Sequence, residues 1–176
     1  SRCSAVDGKS LVWTRLPPSL VSPEAAYVGL CAEVASKPTL TRDTDEFSPH
    51  LTRGGVGCAL SHREAWRGAA KFGGTTLIFE DDVVFFARGF DARFKAIAAS
   101  LPPGWDICYF GYHGGAPGPT DSMEDGYDIL RAEGLVTGLY CYAVSSKGAE
   151  KLIDLVFPLQ VQVDVAISMH FHELSA

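Results

Sequence analysis

The sequence predicts an α/β protein, and three observations predict it. A short apolar run, Thr75-Thr76-Leu77-Ile78-Phe79, stops abruptly at Glu80-Asp81-Asp82. Behind it, Phe90, Phe94, Ile97, Ala98 and Leu101 recur at helical spacing until Pro102-Pro103-Gly104 ends them. Two further apolar runs, at 106–110 and 139–144, follow, and the second leads into another amphipathic helix. Strand and helix signals that alternate along the chain specify a sheet covered by helices.

Taken in order, the first fifty residues read as an irregular, surface-wrapping segment broken by Pro17-Pro18, Pro23 and Pro38. Gly54-Gly55 and Gly57 then introduce a helix expected at about 58–71, in which Ser61 and Glu64 have capping-box spacing. The run 75–79, rich in β-branched and aromatic residues, suits a strand buried on both faces. The run 106–110 predicts a second strand that ends at Gly111 and opens onto a Gly/Pro-rich loop through Thr120. After the third strand, Ser146 is placed to cap a helix whose Ala149, Leu152, Ile153 and Val156 share one face before Pro158. In the tail, Val161, Val163, Val165 and Ile167 alternate like a strand, while Asp164 is equally placed to cap a helix.

Composition excludes several functions. At 176 residues, 47% hydrophobic and 20% charged, the chain suits one domain with a single core. It contains no apolar stretch of about 18 residues, so no transmembrane helix is expected, and its start lacks a signal-peptide layout. A net charge of −6 without a Lys/Arg block argues against nucleic acid as a partner. Cys3, Cys31, Cys58, Cys108 and Cys141 form no C-x-x-C pair, which fits neither a zinc site nor a thioredoxin-like centre, and Cys58, Cys108 and Cys141 read as small core residues.

The acid triplet carries the chemistry. Three adjacent carboxylates repel one another unless a cation joins them, and hard divalent ions such as Mg²⁺ or Mn²⁺ suit carboxylate oxygens and bind phosphates in turn. If strand alternation persists, Glu80 and Asp82 face one way and Asp81 the other. The competing reading makes Asp81 or Asp82 a solvated helix cap.

Four blocks in order resemble glycosyltransferase family 25. They are Gly57-Cys58-Ala59-Leu60-Ser61-His62, Leu77-Ile78-Phe79-Glu80-Asp81-Asp82-Val83, Trp105-Asp106-Ile107-Cys108-Tyr109-Phe110-Gly111, and the stretch from Tyr142-Ala143-Val144 to Lys151-Leu152. Arg2-Cys3-Ser4-Ala5-Val6-Asp7-Gly8 resembles the stretch after that family's first strand and helix. The family contains bacterial lipooligosaccharide galactosyltransferases and animal procollagen galactosyltransferases.

The resemblance implies a GT-A-like single domain over 1–176, with a mixed, mostly parallel central sheet flanked by helices. It also implies a chain lacking the family's first strand, with its Asn-Leu-Asp-Arg-like segment, and the domain's C-terminal end. Gly54-Gly55-Val56 stands where the family tends to have Gly-Glu. The implied donor is a UDP-sugar, UDP-galactose or UDP-glucose, with Mn²⁺ or Mg²⁺ held by Glu80, Asp81 and Asp82. Implied acceptors are a glycan, a lipid-linked saccharide or a hydroxylysine-type protein side chain. His62, Glu80, Asp81, Thr137, Gly138 and Tyr140 are the expected donor-pocket residues. The implied inversion needs a base, and Asp164 is the candidate, with a second metal contact or a helix cap as its other readings.

His170 and His172, at i, i+2 spacing, are candidates to complete a metal shell or else are solvated near the chain end. Gly111 to Gly115 with His113 is a candidate acceptor-side loop, and Asp106 a local cap or ion-pair partner. Two other functions compete: a Mg²⁺-dependent phosphohydrolase using the same carboxylates, and a non-catalytic nucleotide- or glycan-binding remnant. Compartment stays open, cytoplasmic and membrane-facing for a bacterial protein or endoplasmic reticulum lumen for a eukaryotic one.

Overall fold

The computed structural model describes residues 2–35, 50–84, 86, 88–122 and 128–176. Its helices are α1 (Pro23–Ala35), α2 (Arg53–Phe72), α3 (Phe90–Ser100), α4 (Ser146–Val156) and α5 (Val163–Met169). Its strands are β1 (Thr75–Phe79), β2 (Ile107–Gly111), β3 (Gly114–Ser122), β4 (Asp128–Thr137) and β5 (Cys141–Ser145).

The architecture is mixed α and β, as expected, but the sheet is not mostly parallel. β5 lies in the middle of a three-stranded sheet, order β1-β5-β2, and pairs antiparallel with both neighbours. β3 and β4 form a separate antiparallel pair. The physical reason is an insertion. β1 and β2, joined through α3, do run parallel to each other, yet β5 comes back between them in the opposite sense. Hydropathy orders strands along the chain and says nothing about their order in a sheet. The same arrangement makes β1 an edge strand, with Thr75 and Phe79 exposed, instead of one buried on both faces.

The sheet separates two apolar layers. Ile78, Tyr109 and Tyr142 lie side by side in the register and share one face. That face packs on α2, whose Trp66 is fully buried, and the core continues through Leu152 of α4 and Ile167 of α5. On the opposite face, the Phe79, Phe90, Phe94 and Phe110 rings meet at centroid distances of 5.4 to 6.3 Å.

Several boundaries differ from expectation. α2 starts at Arg53, because the Thr52 hydroxyl accepts the Gly55 amide at 3.0 Å and so caps the helix ahead of its glycines. Ser61 caps nothing; it donates to the Gly57 carbonyl at 2.8 Å and accepts the Val6 amide at 2.9 Å. That second bond lays the opening segment along α2, where Gly57 allows close approach: a Cβ there would sit 2.7 Å from the Val6 carbonyl oxygen.

The opening segment is also less irregular than predicted. It holds α1, whose start has the Ser22 hydroxyl accepting the Ala25 amide and Pro23 at the first helical position. The part of that expectation falling on 36–49, Pro38 included, lies outside the described residues. The expected loop through Thr120 is largely strand β3. Ser145, not Ser146, caps α4 through the Gly148 amide, while Ser146 donates to Ala70 in α2. The alternating valines of the tail form helix α5. Asp106, 2% exposed, does not cap or pair locally: it pairs with Lys151, 45 residues away, at 2.6 Å and accepts the Ser175 amide, because the fold brings α4 and the chain end to the start of β2.

Candidate functional site

A cleft of about 270 Å³ opens beside the end of β1, lined by Cys58, Glu80, Gly138, Leu139, Gln162, Val163 and Asp164. Its parts come from four places in the fold. Cys58 stands on α2, Glu80 follows β1, Gly138 and Leu139 bridge β4 to β5, and Gln162 to Asp164 open α5.

Glu80 is held from behind by a buried chain of polar groups. The Trp66 indole only donates, so the Tyr142 hydroxyl oxygen accepts its Nε1–H at 2.8 Å. That leaves the Tyr142 O–H to donate to His62 Nδ1, also at 2.8 Å. His62 Nε2 then donates to Glu80 Oε1 at 3.2 Å. His62 and Tyr142 are buried, and burial pushes the Tyr142 phenol well above its ordinary range, so it stays protonated and able to donate.

Asp164 faces the cleft from the first turn of α5. Its Oδ2 accepts the Gly138 amide at 3.0 Å and its Oδ1 accepts its neighbour Val165's amide at 2.8 Å. A carboxylate has about four lone-pair sites, so two remain for a ligand. Gly138 adopts φ 83°, a left-handed conformation that suits glycine. Its neighbour Thr137 accepts the His113 amide at 2.6 Å, and Tyr140 stands edge-on to the His113 ring at 4.7 Å.

The predicted residues therefore divide. His62, Glu80, Gly138 and Asp164 come together at or directly behind the cleft, and Thr137 and Tyr140 flank it in sequence. Asp81 and Asp82 do not line it. Strand pairing ends at Phe79, and a turn over 80–83 leaves both aspartates exposed, so the expected alternation does not continue to Asp82. Neither forms an ion pair or side-chain hydrogen bond among the described residues. Two solvated carboxylates fit a Mg²⁺- or Mn²⁺-type ion that takes one or two protein ligands and completes its shell with phosphate and water.

His170 and His172 do not join the site or a strand. They follow α5 in a turn, where His170 Nδ1 pairs with Glu173 at 2.8 Å. Cys58, read as core, is exposed overall, with its thiol on the cleft wall. Burial there, reinforced by the charges of Glu80 and Asp164, pushes the thiol up to about 11. Sequence reasoning also missed Gln162 and the Tyr142 hydroxyl. The Cys58–His62 spacing of four was available as a signal, since it puts both on one helix face.

A family model described as "Glycosyltransferase family 25 (LPS biosynthesis protein)" matches residues 5–102, more than half of the chain. The chain belongs to glycosyltransferase family 25. The family match includes Cys58, His62 and the acid triplet, and ends before Thr137, Gly138, Tyr140 and Asp164. Among curated proteins, the chain is similar to "Probable inactive glycosyltransferase 25 family member 3" of Bos taurus, 34% identical over 109 residues. That alignment covers 58% of this chain and 18% of the bovine protein. "Inactive glycosyltransferase 25 family member 3" of Homo sapiens is 34% identical over 110 residues, covering 58% of this chain and 18% of that protein. The Mus musculus protein of the same name is 33% identical over 118 residues, covering 62% and 19%. The aligned part spans under a fifth of each of these relatives. No solved structure matches the chain significantly.

Proposed function

We propose that this family 25 domain binds a UDP-hexose and transfers its galactose or glucose, with inversion, to a hydroxyl of a glycan, lipid-linked saccharide or hydroxylated protein side chain. The observation that carries this reading is that Glu80 and Asp164 line one cleft, with the exposed Asp81 and Asp82 carboxylates following Glu80 in the chain.

Asp81 and Asp82 would hold a Mn²⁺ or Mg²⁺ ion, and that ion would supply positive charge to offset the negative charge of the departing diphosphate. The buried Trp66–Tyr142–His62 chain fixes Glu80 so that its second carboxylate oxygen accepts a donor hydroxyl. The Thr137–Gly138–Tyr140 bend shapes the sugar end of the pocket. Asp164 receives the acceptor hydroxyl's proton as the acceptor oxygen attacks the anomeric carbon, while the anomeric C–O bond breaks toward UDP. At about 270 Å³ the cleft falls just below the roughly 300–1,000 Å³ usual for ligand pockets, which suits one sugar unit with the nucleotide lying along the rim.

Calorimetric titration of UDP with Mn²⁺, and again with chelator, tests the reading. Binding that needs the metal and disappears in Asp82→Ala supports it; absence of UDP binding in both conditions overturns it. The names of the similar mammalian proteins favour a second reading, a domain that binds donor or glycan without transferring. Metal-dependent UDP binding with no turnover of either UDP-hexose would select that one.

A further inference from the structure

We infer that Cys58 Sγ, His62 Nε2 and a Glu80 carboxylate oxygen form a site for a Zn²⁺-class transition cation, open on its fourth side to the cleft. Donor atoms from these three residues all lie within 4.8 Å of one another, and among the described residues no other set of three does so. Cys58 and His62 stand one helical turn apart on α2, and Glu80 comes to them from the end of β1.

The geometry is close to what such an ion needs. Ligand bonds of about 2.0–2.3 Å place neighbouring donors in a tetrahedral shell roughly 3.3–3.7 Å apart. Closing the set requires a shift of about an ångström from Cys58 and Glu80, neither of which is buried. His62, the buried member, is already oriented. A ligating imidazole typically uses its second nitrogen on an outer partner, and Tyr142 is in place at Nδ1.

Proton accounting closes. The Cys58 thiol proton leaves to solvent as the thiolate binds. The imidazole stays neutral while its proton passes from Nε2 to Nδ1. The Tyr142 O–H turns off Nδ1 so that its oxygen accepts the new Nδ1–H beside the Trp66 indole hydrogen, which leaves the phenol hydrogen without an acceptor among the described residues, a cost the metal bonds have to exceed. One thiolate and one carboxylate then neutralise the dication. Thiolate with imidazole selects Zn²⁺ over Mg²⁺, whereas the all-oxygen pair Asp81 and Asp82 selects the reverse. The lack of a C-x-x-C pair does not count against the site, because it uses a single cysteine with a histidine four residues on. This inference goes beyond the donor-binding reading and requires neither UDP nor transfer.

Co²⁺, a spectroscopic stand-in for Zn²⁺, tests it on the purified chain. Stoichiometric Co²⁺ should give a near-ultraviolet thiolate-to-cobalt band together with tetrahedral visible bands, and Zn²⁺ should erase both. Cys58→Ser, a small change at an exposed position, should remove the thiolate band and weaken binding about tenfold or more. Asp82→Ala should keep the band while losing Mn²⁺-dependent UDP binding, so the two proposals fail separately. Absence of the band in the unaltered chain overturns the inference. Persistence of the band in Cys58→Ser does so too, since an exposed thiol such as Cys3 or Cys31 would then be the ligand.

Discussion

The Asp164 carboxylate and the Gly138 amide are joined by a 3.0 Å hydrogen bond that ties the first turn of α5 to the left-handed residue after β4. Asp164 thus has two separable roles, holding the bend and facing the cleft. Asp164→Asn keeps an acceptor for the Gly138 amide but turns an NH₂ toward the Val165 N–H that the other oxygen accepts, so stability should fall by about 1 kcal/mol. As a base it has nothing to offer, and transfer should fall by about 100-fold or more. Asp164→Ala strands the Gly138 N–H and should also lose about 1–3 kcal/mol. Urea unfolding beside a donor-turnover assay separates the two roles, and an unchanged rate in the Asn variant removes Asp164 as the base.

Tyr142→Phe preserves the buried ring and deletes the oxygen between Trp66 and His62. The indole N–H then has no acceptor in a fully buried setting, which should lower stability by about 1–3 kcal/mol. The midpoint of urea unfolding should fall with its slope unchanged. His62 also loses what fixes its ring, so UDP affinity should weaken through Glu80. A variant with wild-type stability would mean that water replaces the hydroxyl.

How much of this was legible follows from what each signal measures. β1, α3, β2, β5 and α4 were readable because each concentrates apolar residues at one period between clear stops. Helix α1 was not, since Ala, Val, Leu and Tyr surround it without one polar face, and its prolines read as breaks although Ser22-Pro23-Glu24 is a helix start. β4 contains Gly134 with φ 67° and lacks clean alternation. The alternating valines of α5 follow a strand period, yet burial of Val163, Ala166 and Ile167 in helical register decides the outcome. At the site, residue type identified Glu80, His62 and Asp164. The partition of the triplet depended on where strand pairing ends, which composition does not encode.

The chain should lose stability in alkali. Burial pushes the Cys108 thiol up to about 11, and burial with the nearby Cys108 does the same to Cys141, against ordinary values near 9. Between about pH 9 and pH 11 these thiols ionise in the unfolded chain while staying protonated in the folded one. The unfolded state then binds fewer protons, so unfolding free energy falls as pH rises through that window and is steady below it. Urea midpoints from pH 7 to 11 check the direction. Cys108→Ala with Cys141→Ala should make the fall shallower without abolishing it, since the Cys58 thiol is pushed up to about 11 as well, and an equally steep fall in that double variant would assign the loss to other groups.

Gly57→Ala sets two effects against each other. Alanine improves helix propensity by about 1 kcal/mol over glycine. Its methyl group would sit 2.7 Å from the Val6 carbonyl oxygen and 2.8 Å from the Gly8 amide nitrogen, and both are backbone atoms that rotamer changes cannot move. Overpacking of this kind destabilises by about 1–3 kcal/mol, so the substitution should be neutral to harmful by up to about 2 kcal/mol. The chain has a cheaper response, which is to release the opening segment from α2 and keep the helix. Amide exchange distinguishes the two. Release exposes the Val6 N–H, now bonded to Ser61, so its protection should drop sharply while amides in the middle of α2 hold theirs. Uniform loss of protection along α2 would show instead that the opening segment and the helix unfold as one unit.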